Sequence, residues 1–362
     1  HWDEIRFRFL FKLEKGNNKY KISLVDSQNS ISKPLINMNH LRTNLPNEYV
    51  TPSTESVLGS PDDILILWDG AYAGEVHAGK YGVIGSTLMR CCPKKEDLEI
   101  DYAYFALKGL EMVVRDLTIG MGIPHVNPDT LKNIVLPLPP LSEQRAIAAF
   151  LDRETARIDE LIKKKERQIE LLQEKRTALI SHAVTKGLNP NVKMKDSGIE
   201  WLGEIPEHWE IIPLRWYLRI GSGSFLSNTE FVAEPMEGLD IPVIGGNGIM
   251  GFTDKANIGK TTIAIGRVGV YCGNVHFVKA PAWVTDNALM LSGIRAFEVE
   301  YLSLLLKVLN LNRLANQNTQ PLVTGTMVKG QRVPLPPISE QRAIAAFLDR
   351  ETARIDALIE KI

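Results

Sequence analysis

The sequence predicts an α+β protein in which two similar globular units, each mixing strands and helices, are separated by long helices. Three observations point there. The segment "LPPLSEQRAIAAFLDRETARIDELI" at 138–162 returns as "LPPISEQRAIAAFLDRETARIDALI" at 335–359, offset by 197 residues with two of 25 positions changed. Between Ser142 and Gly187 there is no proline or glycine, so one helix of roughly 40 residues, about 60 Å long, is expected there. Finally, "ILILWDGAYAGEVH" at 64–77 aligns without gaps on "IAIGRVGVYCGNVH" at 263–276, matching at seven of fourteen positions.

The first globular unit, 1–137, opens with "HWDEIRFRFLFKLEKG", and the second, 206–333, carries "HWEIIPLRWYLRIGSG" near its start. In both, alternating apolar residues ahead of a glycine-rich turn read as strand, turn, strand. "LEIDYAYFALKGL" (98–110) answers "FEVEYLSLLLKVL" (297–309) as a short helix, and "IPHV" (123–126) answers "QPLV" (320–323).

A helical spacer with its linker occupies 138–205, and a C-terminal helical repeat occupies 334–362. Prolines followed by Ser142 or Ser339, with Glu143 or Glu340 in the first turn, mark the two helix starts. Each serine is expected to accept a free backbone N–H. Leu151, Ile158, Leu172 and Leu179 fall on one heptad series, with Ile162 and Ile169 on the companion seam; Lys165 and Arg176 interrupt it. Phe347, Leu348 and Ile355 occupy the matching face of the second copy. A long helix with one apolar stripe needs a partner, and the second copy is the natural candidate. The "KKKERQ" run beside the stripe reads as a solvated face.

Composition narrows the function classes. The 362 residues are 44% hydrophobic with a net charge of −1, which suits two or three domains with real cores. No apolar run approaches the roughly 20 residues that cross a bilayer, and no leader opens the chain. Cys91, Cys92 and Cys272 form no disulfide framework or metal spacing, which fits a reducing cytoplasm. No segment has the basic excess of a typical nucleic-acid binder, so any DNA role must rest on local patches or on partners.

Nearly identical helices joined to diverged globular units imply one kind of partner met twice and two different things bound. "MKDSGIEWLGEIPEHW" (194–209), the two "SEQRAIAAFLD" helix starts and the duplicated organisation resemble the specificity subunit of type I restriction-modification systems, over essentially the whole chain. The resemblance implies that each globular unit is a target recognition domain reading one half of a split DNA sequence. It implies that the helical regions pack as an antiparallel coiled coil, set the gap and recruit two methyltransferase subunits, after which two restriction/translocase subunits join. The chain itself would be non-catalytic, within a complex that is a site-specific DNase and adenine methyltransferase. S-adenosylmethionine, ATP and Mg would reside on the partners, with no cofactor or metal here. Two departures stand out. "GEIPE" precedes His208-Trp209 but nothing precedes His1-Trp2, so upstream residues of the first unit are expected to be missing. The second helix stops at Ile362, which leaves room for an end-to-end self-dimer.

The alternative is a fused or autonomous DNA-modifying enzyme, and its motifs are lacking. "NIGKTT" (257–262) has Asp254 where a phosphate loop needs glycine, and no Asn/Asp-Pro-Pro-aromatic methyltransferase motif occurs. "PDD" (61–63) has no spaced Glu-x-Lys. His77 and His276 match but have no neighbouring ligand set, so they read as structural. A purely structural coiled-coil adaptor would leave two diverged units of this size without a task.

Base-reading candidates are positions that differ within the shared skeleton. Trp68 stands against Arg267, Asp69 against Val268, and Glu75 against Asn274. Arginine bonds guanine and asparagine bonds adenine in bidentate fashion, which nominates Arg267, Asn274, Asn247 and Asn287. In the first unit the polar loops 15–21 and 37–44 nominate Asn17, Asn18, Lys19, Asn39 and Arg42. Lys255, Lys260 and Lys279 suit phosphates better than bases.

Overall fold

A computed structural model of the chain describes residues 2–22, 32–120, 122–315 and 321–362. His1 and Gln320, both used in the alignments above, lie outside the described residues. The chain divides into two compact units, 1–162 and 163–362, the division falling inside the long helix.

In the first unit an antiparallel four-stranded sheet has the order Phe11–Lys15, Leu88–Pro93, Ile64–Leu67, Val76–Ala78. Beside it, Lys33–Ile36 runs parallel to Gly82–Ile84. Asp3–Arg6 pairs antiparallel with Val135–Leu138, closing the unit just before the long helix. The second unit repeats each feature. Its sheet has the order Leu218–Ser222, Ala288–Ile294, Thr262–Gly266, Val275–Val278. Ile241–Gly245 runs parallel to Trp283–Val284, and Glu210–Pro213 pairs with Arg332–Leu335. The expected short helices are Ile100–Gly109 and Val299–Val308. The alternating pattern has a direct cause: Ile64, Ile66, Ile263 and Ile265 are all fully buried under these helices.

The long helix spans Leu141–Lys186, 46 residues, and the C-terminal helix spans Ile338–Glu360, 23 residues. Ser142 and Ser339 do not cap them. Both helices begin one residue earlier, and the cap of the second is Pro337, with no side-chain cap bond. Proline ahead of the first turn fixes φ in advance. At the first helix Glu143 and Gln144 both donate their N–H to the Pro140 carbonyl, at 2.8 and 3.0 Å.

The side chains after the serines have a different task. Gln144 is 1% exposed; its Oε1 accepts the Glu99 N–H at 2.9 Å, and its Nε2 donates to the Asp97 and Pro139 carbonyls at 3.1 and 2.8 Å. Gln341, fully buried, accepts the Glu298 N–H at 2.8 Å and donates to the Ala296 and Pro336 carbonyls, both at 2.9 Å. The preceding glutamates match as well. Trp2 Nε1 donates to Glu143 at 3.0 Å and Trp209 Nε1 to Glu340 at 2.9 Å. Each helix start is thus bolted to the loop before its unit's short helix and to the unit's opening tryptophan.

Within the second unit the two helical copies touch and run antiparallel. Arg176 pairs with Asp356 at 3.3 Å, while Ile180, Ala183 and Val184 share one core with Ile344, Ala345 and Leu348. The seam interruption at Arg176 is therefore met by a carboxylate. Tyr301 donates its hydroxyl to the Val184 carbonyl at 3.0 Å. The long helix ends at Gly187, whose φ of +79° suits glycine and which packs against the fully buried Trp209.

Identical sequence meets unequal surroundings along this seam. Leu348 and Ile355 are 1% and 5% exposed, Phe347 is half-buried, and Ile169, Leu172 and Leu179 are half-buried. In the first unit Leu151 is half-buried, but Ile158 and Ile162 are 54% and 50% exposed. Their expected place on a covered seam is corrected: both stand exposed, while within the second unit the C-terminal helix packs on the stretch from Arg176 to Val184.

Two outcomes are expected in urea unfolding of the purified chain. Ile355→Ala should cost about 2–4 kcal/mol, whereas Ile158→Ala, at the matched position, should stay within about 0.5 kcal/mol; equal costs would contradict the pairing described. Gln341→Ala, which strands one buried donor and two buried acceptors, should cost at least about 2 kcal/mol, and a neutral result would remove the proposed bolt.

Candidate nucleic-acid interface

The two units are most alike at the turn that follows the central strand. In the first, Leu67 N–H donates to the Glu75 carbonyl at 2.8 Å, Ala73 to Gly70 at 3.0 Å, Gly74 to Leu67 at 2.7 Å and Glu75 to Tyr72 at 3.1 Å. In the second, Gly266 donates to Asn274 at 2.8 Å, Cys272 to Gly269 at 3.0 Å, Gly273 to Gly266 at 2.7 Å and Asn274 to Tyr271 at 3.2 Å. Gly70, Gly74, Gly269 and Gly273 all have positive φ, which explains why glycine recurs at these positions. Residues 124–126 and 321–323 lie against this turn in the same way. Gly70 donates to Pro124 and Gly269 to Pro321, both at 2.9 Å, while Val126 donates to Trp68 at 3.0 Å and Val323 to Arg267 at 2.9 Å.

In the second unit this turn gathers several nominated residues. Arg267 N–H donates to the Asn287 carbonyl at 2.9 Å, and its guanidinium approaches the Ser222 hydroxyl at 3.4 Å. Asn247 stands exposed at the tip of the hairpin between Ile241–Gly245 and Gly248–Thr253. The base of that hairpin is held by His276, whose Nε2 lies 3.1 Å from the Gly246 carbonyl. Arg267, Asn287 and Asn247 therefore sit at one end of the sheet, with Asn287 exposed and Arg267 half-buried. Asn274 is turned inward, its Oδ1 3.5 Å from Asn312 Nδ2, which also donates to the Cys272 carbonyl at 2.6 Å.

The lysines are placed elsewhere. Lys279 follows the far end of Val275–Val278 and lines a cleft with Arg176 and Lys307; burial, then the charge of Arg176, holds Lys307 below the usual lysine range. Lys260 is exposed in the loop before Thr262–Gly266. Lys255 is paired with Glu230, whose carboxylate raises the lysine's pKa.

In the first unit Trp68, opposite Arg267, is a core residue 6% exposed, and Asp69 accepts a 2.8 Å bond from Lys15. Arg42 lies 4.0 Å over the Tyr72 ring and donates to Glu75 at 3.1 Å; contact with Tyr72, then Glu75, raises its pKa. Asn39 is exposed on the same short helix as Arg42. Asn17, Asn18 and Lys19 form a separate loop, in which Asn17 donates to the Glu55 carbonyl at 2.9 Å, Asn18 accepts from Tyr20 at 3.3 Å and Lys19 pairs with Glu55.

The matched histidine, the cysteines and the "NIGKTT" segment have surroundings that suit structural roles. His77 is half-buried, and burial followed by the Lys108 charge lowers its pKa. Burial pushes Cys91 well above the ordinary thiol range and Cys92 up to about 11, which disfavours a thiolate at neutral pH. In "NIGKTT" Asn257 exchanges two bonds with Val284, at 2.8 and 2.7 Å, and the buried Thr262 hydroxyl donates to the Leu291 carbonyl. Among the described residues no three His, Cys, Asp or Glu side chains gather as a metal site.

Two residues escaped the sequence reading. Tyr72 and Tyr271, aligned identities in the turn, are 45% and 51% exposed at its tip. Their signal is identity in the alignment, whereas base readers are expected among positions that differ.

Comparison with known proteins places this arrangement in a class: the type I restriction modification DNA specificity domain family matches residues 1–171 and 208–362. The chain belongs to that family. It is similar to the type I restriction enzyme MjaVIII specificity subunit of Methanocaldococcus jannaschii, 29% identical over 99% of this chain and 87% of that protein. A chain from a structural study of complex assembly and conformational transition of the type I R-M system shares the fold, with a TM-score of 0.74 and 15% identity over 99% of this chain and 92% of that one. The HsdS subunit from Thermoanaerobacter tengcongensis aligns with a TM-score of 0.54 and 15% identity, over 99% of this chain and 91% of that one.

Arg267→Ala should reduce discrimination among duplexes altered in one half of the target by about 1–3 kcal/mol and leave the other half's discrimination unchanged. Competition binding with singly substituted duplexes measures this; a uniform loss across all sequences would make Arg267 a positioning group.

Proposed function

We propose that this chain is the specificity subunit of a type I restriction-modification complex, a non-catalytic reader of double-stranded DNA. Each globular unit reads one half of a bipartite target, and the helices set the gap and recruit two methyltransferase subunits. Two restriction/translocase subunits then complete an assembly whose S-adenosylmethionine, ATP and Mg reside on the partners. Its place is the cytoplasm, where the DNA is, and among the described residues no helix is long and apolar enough to cross a membrane.

The observation that carries this reading is the coexistence of a shared topology with different surfaces. The two units have the same strand order in their four-stranded sheets, the same turn and the same helix-start bolts. Yet the matched positions Trp68 and Arg267 are core in one unit and half-buried guanidinium in the other. A repeated scaffold with unlike recognition groups suits two half-sites of unlike sequence, and a repeated helix suits two copies of one partner.

The purified chain alone should neither methylate nor cut DNA, and adding a methyltransferase partner should give sequence-dependent methylation. Replacing 1–137 with the corresponding unit of another specificity subunit should then change one half of the methylated sequence only. Activity of the isolated chain, or a change in both halves together, would refute the reading.

A further inference from the structure

We infer that Tyr72 and Tyr271 are a matched pair of DNA-backbone contacts, each donating its phenolic hydroxyl to a phosphate oxygen at its own half-site. The inference rests on the DNA-reading role proposed above and adds a contact that the two units have in common.

The argument begins with the seven identities between 64–77 and 263–276. Six have a reason inside the fold. Ile64 and Ile66, with Ile263 and Ile265, are fully buried, and Val76 and Val275 are 0% and 6% exposed. Gly70, Gly74, Gly269 and Gly273 have φ between +79° and +107°. His276 bonds the Gly246 carbonyl and His77 is half-buried beside Glu75. The tyrosines are the remainder, since the contact of Tyr72 with Arg42 belongs to the first unit and gives no reason common to both. A side chain half exposed to solvent contributes little to a core, and the turn's bonds use only the tyrosine carbonyl, which any residue supplies.

The turn is also built to hold that side chain still. It is closed by four matched backbone bonds whose lengths agree between the units to 0.1 Å. Its second glycine is pressed against backbone from behind: a Cβ on Gly74 would lie 2.9 Å from Arg115 N, and one on Gly273 would lie 2.4 Å from Asn312 N. The tip therefore projects outward with Ala71 and Tyr72 exposed in one unit, and Val270, 84% exposed, and Tyr271 in the other.

The neighbours assign the ligand. Tyr72 carries the Arg42 guanidinium over its ring at 4.0 Å, with Glu75 as that cation's other partner, and Tyr271 closes a turn that starts from Arg267, whose guanidinium lies 3.4 Å from the Ser222 hydroxyl. A rigid, exposed hydroxyl donor suits a phosphate oxygen. A group identical in two readers of different sequence carries no sequence information, and phosphate contacts are the class that positions without specifying.

The test uses the full chain with its methyltransferase partner and two duplexes, one carrying the mapped target and one a scrambled sequence. Tyr72→Phe and Tyr271→Phe remove one hydroxyl each and leave the ring. Each should weaken binding to both duplexes by about tenfold, the scale of one hydrogen bond to a charged group, with the methylated sequence unchanged. The slope of affinity against salt should stay as in the parent, because no charge is lost. The inference is overturned if both phenylalanine variants bind as the parent does, if only alanine variants lose affinity, or if the letters of one half-site change. If the parent complex itself does not discriminate the duplexes, the specificity role has failed instead.

Discussion

The structure depends on a buried glutamine used twice. Gln144 and Gln341 each satisfy one backbone N–H and two carbonyls at the junction between a helix start and the loop before the short helix of the adjoining unit. Buried backbone groups left unpaired are costly, so this three-bond arrangement leaves little freedom in how the helix leaves the unit. A glutamate beside it takes the indole N–H of the unit's opening tryptophan. The near-identity of the repeated segment thus has a cause before any partner is considered, because the same joint must be made at both units. What diverges is what the joint holds.

The second constraint is the seam. In 163–362 the apolar stripe of the long helix is met by the opposite-running C-terminal helix, and the Arg176 interruption is answered by Asp356. The same residues of the first copy leave Ile158 and Ile162 half exposed. One sequence in two environments shows that the amphipathic pattern states a demand for a partner, and tertiary context decides whether that demand is met.

Much of the fold was legible because it rests on period and punctuation. The alternation at 64–67 and 263–266, the positive-φ glycines and the long run without glycine or proline each have one ready structural reading. The ends were less legible. Serine ahead of an acidic residue imitates a cap, but the prolines had already set the first turn, and the Glu-Gln pair that follows serves contacts at sequence distances of 43 to 47 residues for glutamine and 131 to 141 for glutamate. Such contacts leave no local periodicity. The candidate surface was legible only in part. Arg267, Asn287 and Asn247 converge because the turn and the hairpin share a sheet end, whereas Lys279 belongs to the opposite end of its strand. Charge type alone carried no information about which end.

The central claim is that two unlike readers are held at a set separation by a repeated helical joint. It is tested most directly by inserting one heptad into the long helix between Ser142 and Thr185 and mapping methylation of genomic DNA with the methyltransferase partner present. Seven residues add about 10 Å of helix, close to three base pairs. The account predicts the same two half-sequences separated by a different gap. Altered letters, or loss of modification at every gap length, would contradict it.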